Sequence, residues 1–108
     1  CAQAVLLAYK DKLPFTEEEI TTLGSSFGLG MGCMKGTCGA LVGANIVLSF
    51  NNNTGLPIYA ASKKLLEEFN SLCGATICKD LKGIETGKVL CSCDDCVRNA
   101  IKILQKLI

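Results

Sequence analysis

The 108-residue chain has no histidine and no tryptophan, and only 6% of its residues are aromatic. Without histidine it cannot form a Cys–His or Ser–His catalytic pair, and it cannot attach c-type haem through a C-x-x-C-H motif. Its charges nearly balance, with 11 Lys and Arg against 10 Asp and Glu. Because nucleic-acid binding needs a basic surface or stacking aromatic side chains, we expect no nucleic-acid partner.

Long hydrophobic runs are also missing. The longest run, ALVGANIVLSF, is shorter than the roughly 18 residues that a membrane-spanning helix needs. It predicts a buried helix, and we expect no membrane span. The chain begins at Cys1, inside a segment that already has a helical pattern, so we expect a segment to precede it. A cytoplasmic location is expected, although an export signal ahead of Cys1 stays compatible with the sequence.

Helical patterns dominate the chain, and no segment alternates apolar and polar residues as a β-strand would. A first helix is predicted for CAQAVLLAYK, and a second starts at a capping box of Thr16 and Glu19. A third is predicted for about Cys38 to Phe50, and a fourth lies between the turn NNNTGLP and Gly74. The last covers the C-terminal CVRNAIKILQKLI, and CKDL predicts one further turn. The sequence therefore predicts an all-α fold. We expect one cysteine-rich helical domain over residues 1–108, a compact bundle of about five helices in which a glycine-rich loop precedes a buried central helix.

The glycine-rich segment GLGMGCMKGTCGALVG, residues 28–43, superficially suggests a nucleotide-binding loop. A dinucleotide fingerprint needs a preceding strand and a P-loop needs G-K-[ST], and neither is predicted here. Gly39 and Gly43 lie four residues apart on the predicted central helix, so we expect a neighbouring helix to approach its backbone there. The same two glycines are the predicted cofactor contacts, because the backbone beside Cys38 offers N–H donors to sulfur.

The arrangement of four cysteines resembles a known bacterial and archaeal family. TCGALVGA, which contains Cys38, is similar to the C-G-A-x-x-G core of the C_GCAxxG_C_C family, whose members are described as redox-active. CAQAVLLAY resembles the segment with the first family cysteine, Cys1. The third cysteine matches Cys78 in CKDLKG, and the fourth matches Cys93, with Cys96 as the alternative. The resemblance implies that Cys38, Cys1, Cys78 and Cys93 converge and carry the chemistry, with an oxidoreductase or a transporter component as partner.

The remaining cysteines are expected to lie around that centre as a second group. Three interpretations stay open: thiol–disulfide chemistry, for which Cys93 and Cys96 form a C-x-x-C pair; a thiolate-held zinc ion or iron–sulfur cluster; and a structural module without redox activity. If a metal is bound, the candidate ligands are all eight cysteines: Cys1, Cys33, Cys38, Cys73, Cys78, Cys91, Cys93 and Cys96.

Cys38 is the predicted reactive thiol. It falls in the first turn of the central helix, where free N–H groups and the positive end of the helix dipole favour a thiolate. Lys35 is close by and adds positive charge. We therefore expect Cys38 to be the most acidic thiol and the first to be alkylated, oxidised or bound to metal.

Overall fold

Helices make up most of the chain, as the sequence predicts. The computed structural model describes the backbone of residues 1–108 and every side chain except that of Leu29. The helices are α1 (Ala2–Ala8), α2 (Glu17–Gly24), α3 (Gly28–Met31), α4 (Gly39–Phe50), α5 (Ile58–Cys73), α6 (Cys78–Lys82) and α7 (Cys93–Leu107), with a 3-10 turn at Lys10–Lys12. Within this described backbone there is no β-strand. The all-α prediction is confirmed.

The glycine-rich segment differs from the predicted loop. It contains the single helical turn α3, which Gly32 ends in a left-handed conformation with φ of 82°. Gly36 then donates its N–H to the carbonyl of Gly30, which folds the segment back toward the start of α4. The sequence could not show this turn, because glycine has a low helix propensity and the turn depends on contacts with the rest of the fold.

Helix α4 lies at the centre of the bundle and packs against α1, α5 and α7. Gly39 and Gly43 form its contact with α1. A Cβ atom added at Gly43 would lie 2.9 Å from the carbonyl oxygen of Ala2, and one added at Gly39 would lie 2.5 Å from Sγ of Cys1. The prediction that a helix approaches both glycines is confirmed.

An isolated antiparallel bridge between Thr37 and Ile77 joins the segments that precede α4 and α6. Cys38 donates its backbone N–H to Thr76 over 2.8 Å, and Cys78 donates to Gly36 over 3.0 Å. Because the two cysteines directly follow the bridged residues, these hydrogen bonds hold the starts of α4 and α6 side by side.

Thr16→Ala should lower the free energy of unfolding by about 1 kcal/mol. Thr16 caps α2 through a capping box, in which the backbone N–H of Glu19 donates to the Thr16 hydroxyl over 3.1 Å and the backbone N–H of Thr16 donates to the Glu19 carboxylate over 2.9 Å. Urea denaturation measures the loss. Thr22 is an exposed residue of the same helix, so Thr22→Ala is the control. Equal destabilisation by both variants would contradict the role of the cap.

Candidate functional site: a cysteine-lined cavity

A cavity of about 260 Å³ opens between the beginnings of several helices, and six cysteines line it. The cysteines are Cys1, Cys38, Cys78, Cys91, Cys93 and Cys96. Ala4, Leu81 and Val97 give much of the remaining wall an apolar surface, and Lys82 and Asp94 contribute charge. All eight cysteines of the chain are free thiols in this structure.

The four cysteines of the family pattern each stand at the beginning of a helix. Cys1 and Cys38 are the N-cap residues of α1 and α4, and Cys78 and Cys93 are the first residues of α6 and α7. The structure thus brings all four to one cavity from distant positions in the sequence. Cys96 lines the same cavity, so both candidates for the fourth cysteine are present.

Two of the lining cysteines form a compact group with Cys73, which we call the buried trio: Cys73, Cys91 and Cys96. Their Sγ atoms all lie within 4.8 Å of one another, and all three residues are buried. Cys73 is the last residue of α5, and Cys96 lies in the first turn of α7. Cys33 does not join them, since it is exposed and outside the cavity lining.

Asn99 contacts two sulfurs of the buried trio. Its Nδ2 donates to Sγ of Cys73 over 3.4 Å and lies 3.8 Å from Sγ of Cys91. Asn99 is not among the site residues that the sequence predicts. The available signal was its position three residues after Cys96, which places both on one side of a helix. An amide that donates to sulfur orients the thiols and stabilises negative charge on them.

Lys82 contacts the exposed sulfur at the edge of the cavity. Its ammonium group donates to Sγ of Cys93. This hydrogen bond, together with the negative charge of a Cys93 thiolate, raises the pKa of Lys82 above its ordinary value, and partial burial opposes the shift. Lys82 is also absent from the predicted site residues, although it lies four residues after Cys78, directly after the predicted turn CKDL.

The predicted acidity of Cys38 is wrong. Cys38 occupies the expected N-cap position, and the backbone N–H groups of Ala40 and Leu41 do act to lower its pKa. However, a hydrogen bond with Cys96 and burial of the side chain raise the pKa of Cys38 far above its usual range. Only 5% of the residue is exposed. Desolvation and a neighbouring sulfur therefore outweigh the end of the helix, and Cys38 is a poor nucleophile at neutral pH.

Gly39 and Gly43, the two predicted cofactor contacts, do not line the cavity. Both glycines are packed against α1, and neither belongs to the cavity lining. Their contact with a cofactor stays a prediction. Their effect on the site is indirect, because the close approach at Gly39 allows Cys1 to lie beside the beginning of α4.

Above about pH 8.5, the reduced protein should lose stability as the pH rises. Burial raises the pKa of Cys78 and of Cys91, and the pKa of Cys38 is raised as described above. The unfolded chain therefore releases these protons at lower pH than the folded chain does. Since the folded state binds more protons, the free energy of unfolding falls with rising pH. The Cys38 contribution is at most about 1.4 kcal/mol per pH unit.

Urea denaturation under reducing conditions, between about pH 7 and pH 9.5, measures this dependence. Cys38→Ala should give a shallower decline than the wild type. Constant or rising stability of the wild type across this range would contradict the burial of protonated thiols.

No helix within the described part of the chain has the length and apolar character needed to cross a membrane.

Comparisons with known proteins identify the family of the chain. Searches of curated proteins and of solved structures gave no significant match. A family model described as "Putative redox-active protein (C_GCAxxG_C_C)" matches residues 1–107. Since this match spans nearly the entire sequence, the chain belongs to the C_GCAxxG_C_C family.

Proposed function

We propose that the protein is a thiol redox carrier that stores two electrons in the buried trio. The observation that supports this is the mutual distance of the three Sγ atoms, within 4.8 Å, beside a cavity lined by further thiols. A disulfide bond is about 2.05 Å long, so closure requires a movement of less than about 3 Å.

Cys91 is the member of the buried trio that can move with the least disruption. It lies in the irregular segment between α6 and α7, whereas Cys73 and Cys96 belong to helices. Oxidation would join Cys91 to one of these two partners and release two protons and two electrons. An external disulfide accepts them and becomes two thiols. An oxidoreductase with a dithiol or disulfide of its own can take part in this exchange.

A redox titration tests the proposal. The protein is equilibrated with thiol–disulfide buffers between about −300 and −120 mV, and its free thiols are then alkylated and counted by intact mass. We expect a single reversible step that removes two of the eight thiols, with the disulfide located in the buried trio by peptide mapping. Eight free thiols at every potential, or a disulfide outside the trio, would refute the proposal.

The same spacing supports a second candidate function, the binding of one soft metal ion such as Zn²⁺. Thiolates on tetrahedral zinc lie about 3.8 Å apart when the Zn–S distance is about 2.3 Å. The sulfurs of the buried trio need only a small contraction to reach that spacing. Cys38, which is hydrogen-bonded to Cys96, is a candidate fourth ligand. A [4Fe–4S] cluster binds each of its thiolates on a different iron and requires wider spacing, so a single ion fits the trio better than such a cluster.

Anaerobic titration of the reduced protein with Co²⁺ tests metal binding, because tetrahedral cobalt thiolates absorb intensely in the visible and near-ultraviolet. We expect one equivalent of Co²⁺ to bind, with Zn²⁺ able to displace it. Cys73→Ser should weaken binding, whereas Cys33→Ser should not, since Cys33 lies outside the trio. The absence of these absorption bands would exclude the metal site and leave the redox proposal unaffected.

A further inference from the structure

An external disulfide cannot reach the buried trio directly. Cys73, Cys91 and Cys96 are exposed by only 3%, 8% and 2%. Thiol–disulfide exchange requires the attacking sulfur to approach the disulfide, so access limits the reaction. If the trio is oxidised by a molecule in solution, a more exposed thiol must take part in the exchange.

Cys93 lies where such a thiol is required. It is exposed, and it lines both the cysteine-lined cavity and an adjoining open depression of about 390 Å³. Lys82 and Asp94 also line both spaces, so these three residues mark the mouth of the cavity. The hydrogen bond from Lys82 holds the Cys93 sulfur at this position.

Cys96 connects this mouth to the interior. Cys93 and Cys96 are three residues apart at the beginning of α7, and residues at this spacing lie on the same side of a helix. Cys96 is also a member of the buried trio. It is therefore the residue that the C-x-x-C pair and the trio have in common.

We propose that Cys93 is the exchange thiol through which low-molecular-weight disulfides oxidise the protein, and that Cys96 passes the disulfide inward. This inference rests on the proposed redox function. The open depression of about 390 Å³ has room for a small disulfide, RSSR, beside Cys93.

The proposed reaction has three steps. The Cys93 thiolate attacks RSSR, which forms a Cys93–SR disulfide and releases RS⁻, which takes up a proton. Cys96 then attacks the Cys93 sulfur, which forms a Cys93–Cys96 disulfide and releases the second RSH. Finally Cys91 attacks Cys96, which frees Cys93 and leaves a disulfide in the buried trio. One external disulfide becomes two thiols while two protein thiols become one disulfide, so atoms and electrons balance.

Trapping with oxidised glutathione tests the route. The reduced full chain is mixed with oxidised glutathione, quenched with acid at intervals and analysed by intact mass. We expect the wild type to lose two hydrogen atoms without retaining glutathione on any cysteine of the cavity lining, which peptide mapping distinguishes from glutathione on the exposed Cys33. Cys96→Ala should retain one glutathione on Cys93, because the second step is blocked. Cys93→Ser should slow oxidation of the trio by about tenfold or more, since the accessible thiol is lost.

Cys33→Ser is the matched control, because Cys33 is also exposed but lies outside the cavity lining. It should be oxidised at the wild-type rate. Glutathione on another cysteine of the cavity lining instead of Cys93 in Cys96→Ala, or unchanged kinetics in Cys93→Ser, would overturn the route while the trio remained oxidisable. A trio that no redox buffer oxidises would instead overturn the proposed function itself. If Cys96→Ala does not fold, the kinetic comparison of the two surface variants still decides the question.

Discussion

Gly43→Leu should destabilise the protein by about 3 kcal/mol. An added Cβ would lie 2.9 Å from the carbonyl oxygen of Ala2 and 3.3 Å from both Cα of Ala2 and Cβ of Val5. Two of these three atoms belong to the backbone of α1, which cannot give way as a flexible side chain would. The leucine side chain would push α1 away from α4 and expose apolar surface of both helices.

Urea denaturation of the reduced protein measures this effect as a lower midpoint. Gly28→Leu is the matched control, because no described atom lies within 4 Å of a Cβ placed at Gly28. We expect that control to change the stability by no more than about 0.5 kcal/mol. Similar losses in the two variants would mean that the contact between α1 and α4 is not the cause.

Cys91→Ala should abolish the reversible oxidation of the buried trio while leaving the fold intact. Cys91 lies in an irregular segment, where its replacement disturbs no helix. Its sulfur is near those of both Cys73 and Cys96, and without it only two helical thiols remain in the trio. The proposed disulfide then loses the partner that can move.

The redox titration described above provides the measurement, with circular dichroism to verify the helical content. Cys33→Ala is the control, since it also removes a cysteine from an irregular segment but not from the trio. We expect Cys33→Ala to lose two thiols in one reversible step, as the wild type should. Peptide mapping locates any disulfide that remains in Cys91→Ala: a Cys93–Cys96 disulfide is the intermediate of the proposed route, whereas a Cys73–Cys96 disulfide would show that Cys91 is not needed.

The main helices could be predicted because their signals are local. The capping box of Thr16 and Glu19 begins α2, and Gly74 ends α5 in a left-handed conformation, as their positions in the sequence indicate. The central position of α4 followed from its nearly continuous apolar character. The turn α3 depends on contacts with distant residues and gave no comparable signal.

The site was predictable only in part. The resemblance identified four cysteines that line the cavity, because a family pattern records positions that distant segments bring together. The predicted acidity of Cys38 is wrong, because the sequence shows only that Cys38 begins a helix. Its burial and its contact with Cys96 depend on distant parts of the chain. The contacts of Asn99 and Lys82 with sulfur likewise depend on how α5, α6 and α7 are packed.

Thr37 and Ile77 pair only after the chain has closed a long loop, which includes the whole of α4 and α5. Contacts between such distant residues form slowly, so Cys38 and Cys78 meet late in folding. Until then the eight thiols are accessible to air, and they can pair in on the order of 100 ways. Refolding in an oxidising buffer should therefore yield mostly scrambled, aggregation-prone chains. A reducing agent should restore the yield of correctly folded protein. The denaturant should therefore be removed before the reductant in a preparation of this protein.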